Sequence, residues 1–292
     1  VNEDEKIAYV PMKGVVHRAG RVSRWRFANS QLSLKLNLLS TLVRRDLEAR
    51  YKGSILGNLW PLLNQLSQLL IYTYVFSIVL KVKLNLEGFP DNELAFGLWL
   101  FAGLIPWFAF TNGLTQAAAS VVGQPNLVKK VVFPLGLLPL VPIFSAFIES
   151  SFGLIALIVL TALSAQILHS TIWLLPLVWI PQVLLTAGLG YLTAGLTVFL
   201  RDIPQSLSVI LNLWFYVTPI LYPVSKVPES WQVWIVWCNP ITGLSEAYRD
   251  LVLVGEMKHW GELAVSSMIA VVIFYGGLWV YRRLRPAFAD VL

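Results

Sequence analysis

Apolar residues gather in long runs along this chain, and six of them read as helices that cross a bilayer: 58–80, 94–116, 139–165, 171–200, 203–222 and 263–281. Each is close to or above the roughly 20 residues that a helix needs to span hydrocarbon. Two other stretches follow a different pattern. Residues 32–50 place Leu32, Leu36, Leu39, Val43 and Leu47 on one helical face and Asn37, Thr41, Arg45 and Glu48 on the other, which predicts an amphipathic helix in the membrane interface. Residues 223–258 are too apolar for a simple loop, with Trp231, Trp234 and Trp237 at steps of three, yet the run 231–239 is too short to cross. They predict an outer re-entrant helical hairpin between spans five and six. The expected fold is all-α and polytopic, with a cytoplasmic basic segment and interface helix over 1–57 and a six-span domain over 58–292.

Charge orients these spans. An even number of crossings puts both termini on one side. Of the 22 Lys and Arg residues, eleven lie in 1–57, Lys129 and Lys130 in the loop 117–133, Arg201 after span four, and Arg282, Arg283 and Arg285 in the tail. The opposite loops hold Lys81, Lys83, Lys226, Arg249 and Lys258 among seven acids. The positive-inside bias therefore predicts two cytoplasmic termini in a multi-pass protein of the cytoplasmic membrane. A polar stretch ahead of the first apolar run is the wrong order for a cleaved leader, so the amino terminus is expected to be retained.

Composition removes other classes. With 57% hydrophobic and 13% charged residues and a mean hydropathy of +0.67, a soluble enzyme, a disordered tail and a disulfide scaffold are excluded. The net charge of +6 flanks apolar spans, where it meets anionic lipid rather than nucleic acid. One cysteine and the scattered His17, His169 and His259 predict no metal cluster.

The chain carries no phosphate-cradling glycine loop and no hydrolase or zinc motif, so catalysis is not expected. Glu149 is the one acid within the spans, and a carboxylate there is costly enough to be a functional candidate. No span holds a basic partner for it. It reads either as a neutral acid bonded to hydroxyls such as Ser145, Ser150 or Ser151, or as a group facing an aqueous path. Tyr72, Tyr74 and Phe76 of span one, with Trp99, Trp107 and Phe108 of span two, form aromatic faces that suit the apolar faces of sugar rings; interfacial belts and packing are the alternative. In the loop 117–133, Val121, Val122, Leu127, Val128, Val131 and Val132 would be uncovered in water, which predicts a protein partner or the lipid surface over them.

Several segments, taken in order, resemble a family. They are RRDLEARYKGSILGNLW at 44–60, KKVVFPLGLLPL at 129–140, RDI at 201–203, TPILYP at 218–223, NP at 239–240 and YR at 248–249. From about 39 to 283 the chain resembles the permease subunits of type-2 ABC exporters of polysaccharides, the Wzm, KpsM and TarG group. One departure is Pro61, which stands a turn before the family's usual proline near Gln65 and alters the expected bend of span one. The resemblance implies a homodimeric channel for a polyprenyl-linked glycan of O-antigen, capsule or teichoic acid type. It also implies two copies of a separate ATPase, which would bind ATP and Mg while this chain binds no cofactor. It makes 117–133 the coupling helix, with Gln124, Asn126, Leu127, Lys129 and Lys130 toward the ATPase. It puts Arg44, Arg45, Tyr51, Arg201 and Asp202 at the gate and inner corner, and 223–258 at the outer exit. The alternatives are a drug exporter of the same family, a membrane enzyme acting on polyprenyl-linked sugars, and a secondary carrier, for which Glu149 stands without inverted repeats.

Overall fold

The computed structural model describes residues 20–82, 93–129, 133–165 and 168–292, with backbone alone at 20–31, 58, 93, 94 and 165. Every regular element among them is helical. Helix α1, Gly20–Arg50, starts well before the predicted residue 32. Of its apolar stripe, Leu32 and Leu36 are exposed and Val43 is buried. The chain divides between Thr41 and Leu42 into two compact units, and the second, 42–292, holds the helical bundle.

Helix α2, Trp60–Tyr72, has Pro61 in its first turn, where a missing N–H costs nothing, so this proline starts the helix instead of bending it. It continues as a wider, π-helical stretch, Thr73–Val79. Then come α3 (Glu93–Ala119), the short α4 (Pro125–Val128), α5 (Leu140–Ala165), α6 (Leu175–Thr197) and α7 (Ile203–Val217). The hairpin is built from α8 (Glu229–Gln232), which runs into π-helical Val233–Trp237, and α9 (Pro240–Arg249), which runs into Asp250–Val254. Helix α10, Trp260–Leu284, closes the bundle.

Five helical stretches among the described residues are long and apolar enough to cross a membrane: Trp60–Val79, Ala95–Ala119, Leu135–Ser164, Ser170–Thr197 and Trp260–Val291. The chain is a multi-pass membrane protein. The fifth predicted span is shorter than expected, because α7 ends at Val217 after 15 residues, about 22 Å of helix at ~1.5 Å per residue. Pro219 is the reason, since a residue that precedes proline avoids the helical region, and Thr218 is extended (φ −79°, ψ 133°).

Helix α3 is apolar all round and sits at the centre, with 98–107 entirely buried. It packs on α2, α5, α6 and α9. A second apolar cluster at one end joins Val121, Val128, Leu135, Ile143, Tyr191, Tyr281 and Phe288. There the Tyr191 hydroxyl donates to Gly136 O (2.9 Å) and the Tyr281 hydroxyl to Leu135 O (2.9 Å). Lys129, Arg201 and Arg282 flank this cluster in the chain and make it the basic end of the bundle; the hairpin lies at the other.

Helices α6 and α10 pack closely because two glycines face each other. A Cβ on Gly277 would run into the Gly188 carbonyl, whereas one on the neighbouring Gly276 would meet nothing within 4 Å. Small residues at such a crossing let backbones touch. Gly277→Val is therefore expected to lower stability by roughly 1–3 kcal/mol, the usual cost of overpacking, while Gly276→Ala is tolerated. Thermal unfolding of the two variants in detergent checks the contrast.

Candidate functional site

Among the described residues, two hydrogen-bonded groups of polar side chains stand within the bundle, one toward each end. At the hairpin end, Asn239 caps α9 by accepting from Ile241 N (3.2 Å), and Pro240 takes the first helical position. The same Asn239 side chain accepts from Trp214 Nε1 (3.1 Å) and donates to Thr218 Oγ1 (2.9 Å), so the cap also ties α9 to the end of α7. From Tyr248 a chain of bonds crosses the bundle: its hydroxyl donates to Gln182 Oε1 (2.8 Å), and Gln182 Nε2 donates to Pro106 O (2.9 Å).

Arg249, 2% exposed, is the hub. Its Nη1 donates to Glu246 Oε1 (2.6 Å) and Pro219 O (3.0 Å), its Nη2 to Ile220 O (2.9 Å), and its Nε to Trp99 O (3.2 Å). The guanidinium lies 3.5 Å above the Trp99 ring. A Cβ at Gly103 would strike it at 2.6 Å from Nη2, so α3 needs a glycine there. Next to it, Asp250 accepts from Lys258 N (2.7 Å) and His259 N (2.9 Å), and its Oδ2 lies 2.9 Å from His259 Nδ1. The Asp250 hydrogen bond pushes the His259 imidazole above its ordinary pKa, and the carboxylates of Glu246 and Glu262 add to the shift against partial burial.

At the basic end, Glu149 has partners that its neighbours in sequence do not disclose. Arg50 Nη1 lies 3.3 Å from both of its carboxylate oxygens, and the Tyr51 hydroxyl donates to Oε1 (2.8 Å). Arg50 is held in turn by Asp46, through Nη2 (2.6 Å) and Nε (2.9 Å). The expected hydroxyl partners are engaged elsewhere: Ser150 donates to Ile105 O and Ser151 to Ile148 O, and Ser145 has no bond to Glu149. Glu149 is thus one partner of an ion pair. Burial and the Glu149 carboxylate push the Tyr51 phenol up, which keeps it a donor. Beside the pair, a cavity of about 320 Å³ opens between α2, α3 and α5, walled by Asn64, Gln65, Ser67, Gln68, Phe108 and Asn112. Gln65 Nε2 donates to Glu149 O (3.1 Å).

The six candidate aromatics do not share one surface. Trp99 is buried beneath Arg249 and touches Phe96, which contacts Phe76 and through it Tyr72. Trp107 is buried against Phe110, Trp214 and Phe215. Tyr74 is exposed, and Phe108 is a wall of the cavity. In the loop 117–133, Gln124, Pro125, Asn126 and Lys129 are exposed and Leu127 is half-buried. The expectation that a partner covers the loop's valines changes here, because Val121 and Val128 are buried by this chain and Val122 and Leu127 pack against the same cluster. Its outward face is polar. Lys130, Val131 and Val132 lie outside the described residues. Arg44 pairs with Glu48 (2.8 Å), Arg45 is exposed, and Arg201 and Asp202 are exposed in the turn between α6 and α7. Of the gate and corner residues, only Tyr51 reaches Glu149.

The ABC-2 type transporter family matches residues 37–253, and the chain belongs to it. It is a permease subunit, not an enzyme, and membership implies an ATPase partner. Among curated relatives, the O-antigen export system permease protein RfbA of Myxococcus xanthus is 30% identical over 254 residues, 87% of this chain and 94% of the relative. The protein of that name from Klebsiella pneumoniae is 28% identical over 264 residues, 89% and 97% of the two chains. The polysialic acid transport protein KpsM of Escherichia coli is 23% identical over 265 residues, 89% and 98%.

Arg249→Met is expected to cost roughly 3–5 kcal/mol, because it leaves the Glu246 carboxylate buried without its partner. The double change Arg249→Met with Glu246→Met should regain part of that loss, as read by thermal unfolding of the purified protein.

His259 carries a pH dependence with a definite sign. Its folded pKa lies above the unfolded value of about 6.5, so its contribution is complete below that value and is lost as pH rises through the folded one. His259→Asn keeps a donor but does not titrate. The wild-type advantage in unfolding temperature over this variant should be larger at about pH 5.5 than at about pH 9.

Proposed function

We propose that two copies of this chain form the channel of an ATP-driven exporter that moves a lipid-linked polysaccharide, of the O-antigen or capsule kind, across the cytoplasmic membrane. The observation that carries this reading is the near end-to-end similarity to three relatives whose names state O-antigen export or polysialic acid transport. The excess of positive charge at the basic end supports placing it, with both termini, in the cytoplasm.

In this reading α7 and the turn at 218–222 that follows it together make the fifth crossing. The exposed apolar faces of α2 (Leu63, Leu70, Ile71) and α7 (Ile210, Leu213, Tyr216) meet lipid or the second copy. The hairpin shapes the outer exit. At the cytoplasmic side, α4 presents Gln124, Asn126 and Lys129 to the ATPase, and its buried Val128 holds it against the bundle so that movement of one is passed to the other.

Deleting the gene in its source strain tests the reading. Surface glycan should vanish while the lipid-linked glycan accumulates inside, and unchanged surface glycan would overturn it. Lys129→Glu is expected to weaken recovery of the ATPase with the purified permease, or to leave hydrolysis uncoupled from export, while membrane insertion is unaffected. Co-purification and an export assay read the two effects separately.

A further inference from the structure

Helix α2 carries a polar stripe that no motif accounts for. Asn64, Gln65 and Gln68 fall on one face of it, and Asn112 of α3 meets them across the cavity of about 320 Å³, which is within the ~300–1,000 Å³ typical of small-ligand pockets. Gln65 is committed to the Glu149 carbonyl. Asn64, Gln68 and Asn112 make no hydrogen bond within the described residues. Gln68 is half-buried and Asn64 and Asn112 are exposed at the mouth of this open pocket; unpaired amides are costly in a membrane-spanning helix, so three around one space mark it as wet or ligand-filled.

The chemistry of the wall narrows the ligand. Glu149 is the one charge in the lining, and Arg50 balances it. A phosphate finds no cation in the wall, an ammonium finds a carboxylate already held, and a lipid chain finds a polar surface. Primary amides present a donor and an acceptor side by side, as neighbouring sugar hydroxyls do. Phe108 adds a ring for the apolar face of a pyranose.

We propose that this cavity is a carbohydrate-binding pocket open at the surface of each copy of the chain, holding one neutral sugar residue of the glycan at the basic end. The proposal rests on the export reading and narrows it to a hydroxyl-reading site on the side where the substrate enters. Asn64, Gln68 and Asn112 read the hydroxyls, and Gln65, bonded to the Glu149 main-chain carbonyl, fixes the floor beside the Arg50–Glu149 pair.

The test uses the permease–ATPase complex in nanodiscs, with Cys238→Ser to remove the exposed native thiol and Ser67→Cys as a reporter in the wall. The probes are methyl α-glucoside, methyl α-mannoside and N-acetylglucosamine, against glycerol and inorganic phosphate. At least one sugar should slow maleimide labelling of the reporter about fivefold, and Gln68→Leu or Asn112→Leu should weaken that protection by about fivefold for each hydrogen bond lost. The same sugars should raise the unfolding temperature of the unsubstituted complex, which reads binding without any reporter. Labelling and unfolding unmoved by every sugar would overturn the proposal. So would protection equal in the leucine variants, or protection by phosphate alone. Export distinguishes the two levels. Normal glycan export by a triple Asn64→Leu, Gln68→Leu, Asn112→Leu variant would overturn the site and leave the export reading standing. An unchanged surface glycan on gene deletion would overturn the export reading, and the sugar titrations would still decide the site.

Discussion

The constraint on which the hairpin end depends is the need to satisfy a guanidinium buried away from solvent. Arg249 donates to three backbone carbonyls and one carboxylate and lies flat on an indole. Those acceptors come from α3, from the turn after α7 and from α9 itself. A buried cation tolerates little displacement, because each acceptor that moves away leaves a donor unpaired in a medium that cannot replace it. The turn at Pro219 and Ile220, which has no helix of its own, is thereby held as rigidly as its neighbours. Asn239 and Tyr248 extend the arrangement to α7 and α6.

The basic end uses a looser version of the same device. Arg50 and Glu149 are separated by 3.3 Å and retain partial exposure. Arg50 also keeps a second carboxylate, Asp46, at 2.6 Å. An ion pair with a spare partner and access to solvent can rearrange at lower cost than one sealed inside. The two ends therefore differ in stiffness: the hairpin is fastened to the bundle core, and the end of α1 is fastened to α5 by contacts that water can share. The polar cavity lies next to the softer of the two.

Much of the fold is legible in the sequence because bilayer thickness imposes long apolar runs that few other constraints can produce. What stays hidden depends on interactions between distant residues. Glu149 looks isolated because no span holds a base, while Arg50 sits in the polar segment ahead of the first span, 99 residues away. The valines of 117–133 look uncovered because the tyrosines that pin the neighbouring chain, Tyr191 and Tyr281, lie in α6 and α10. The end of α7 is readable from Pro219 but masked by the apolar residues around it. NP and YR mark the hairpin by resemblance, but only geometry shows what each residue holds. The stripe of Asn64, Gln65 and Gln68 stands in plain view at helical spacing, and it draws no notice because amides carry no charge.

The separations between clamped residues also order the assembly of the chain during its synthesis. Arg50 and Glu149 are both present once α5 has been made, and domains generally form from the amino-terminal side as they emerge. Trp99 waits for Arg249, 150 residues later, and Leu135 waits 146 residues for Tyr281. Until then α3, the most buried of the described helices, stands in the bilayer with its Trp99 ring uncovered and Gly103 facing an empty notch. The nascent permease thus acquires its basic-end clamp first, and its hairpin end stays open to lipid, or to an insertion factor, until the last third of the chain arrives.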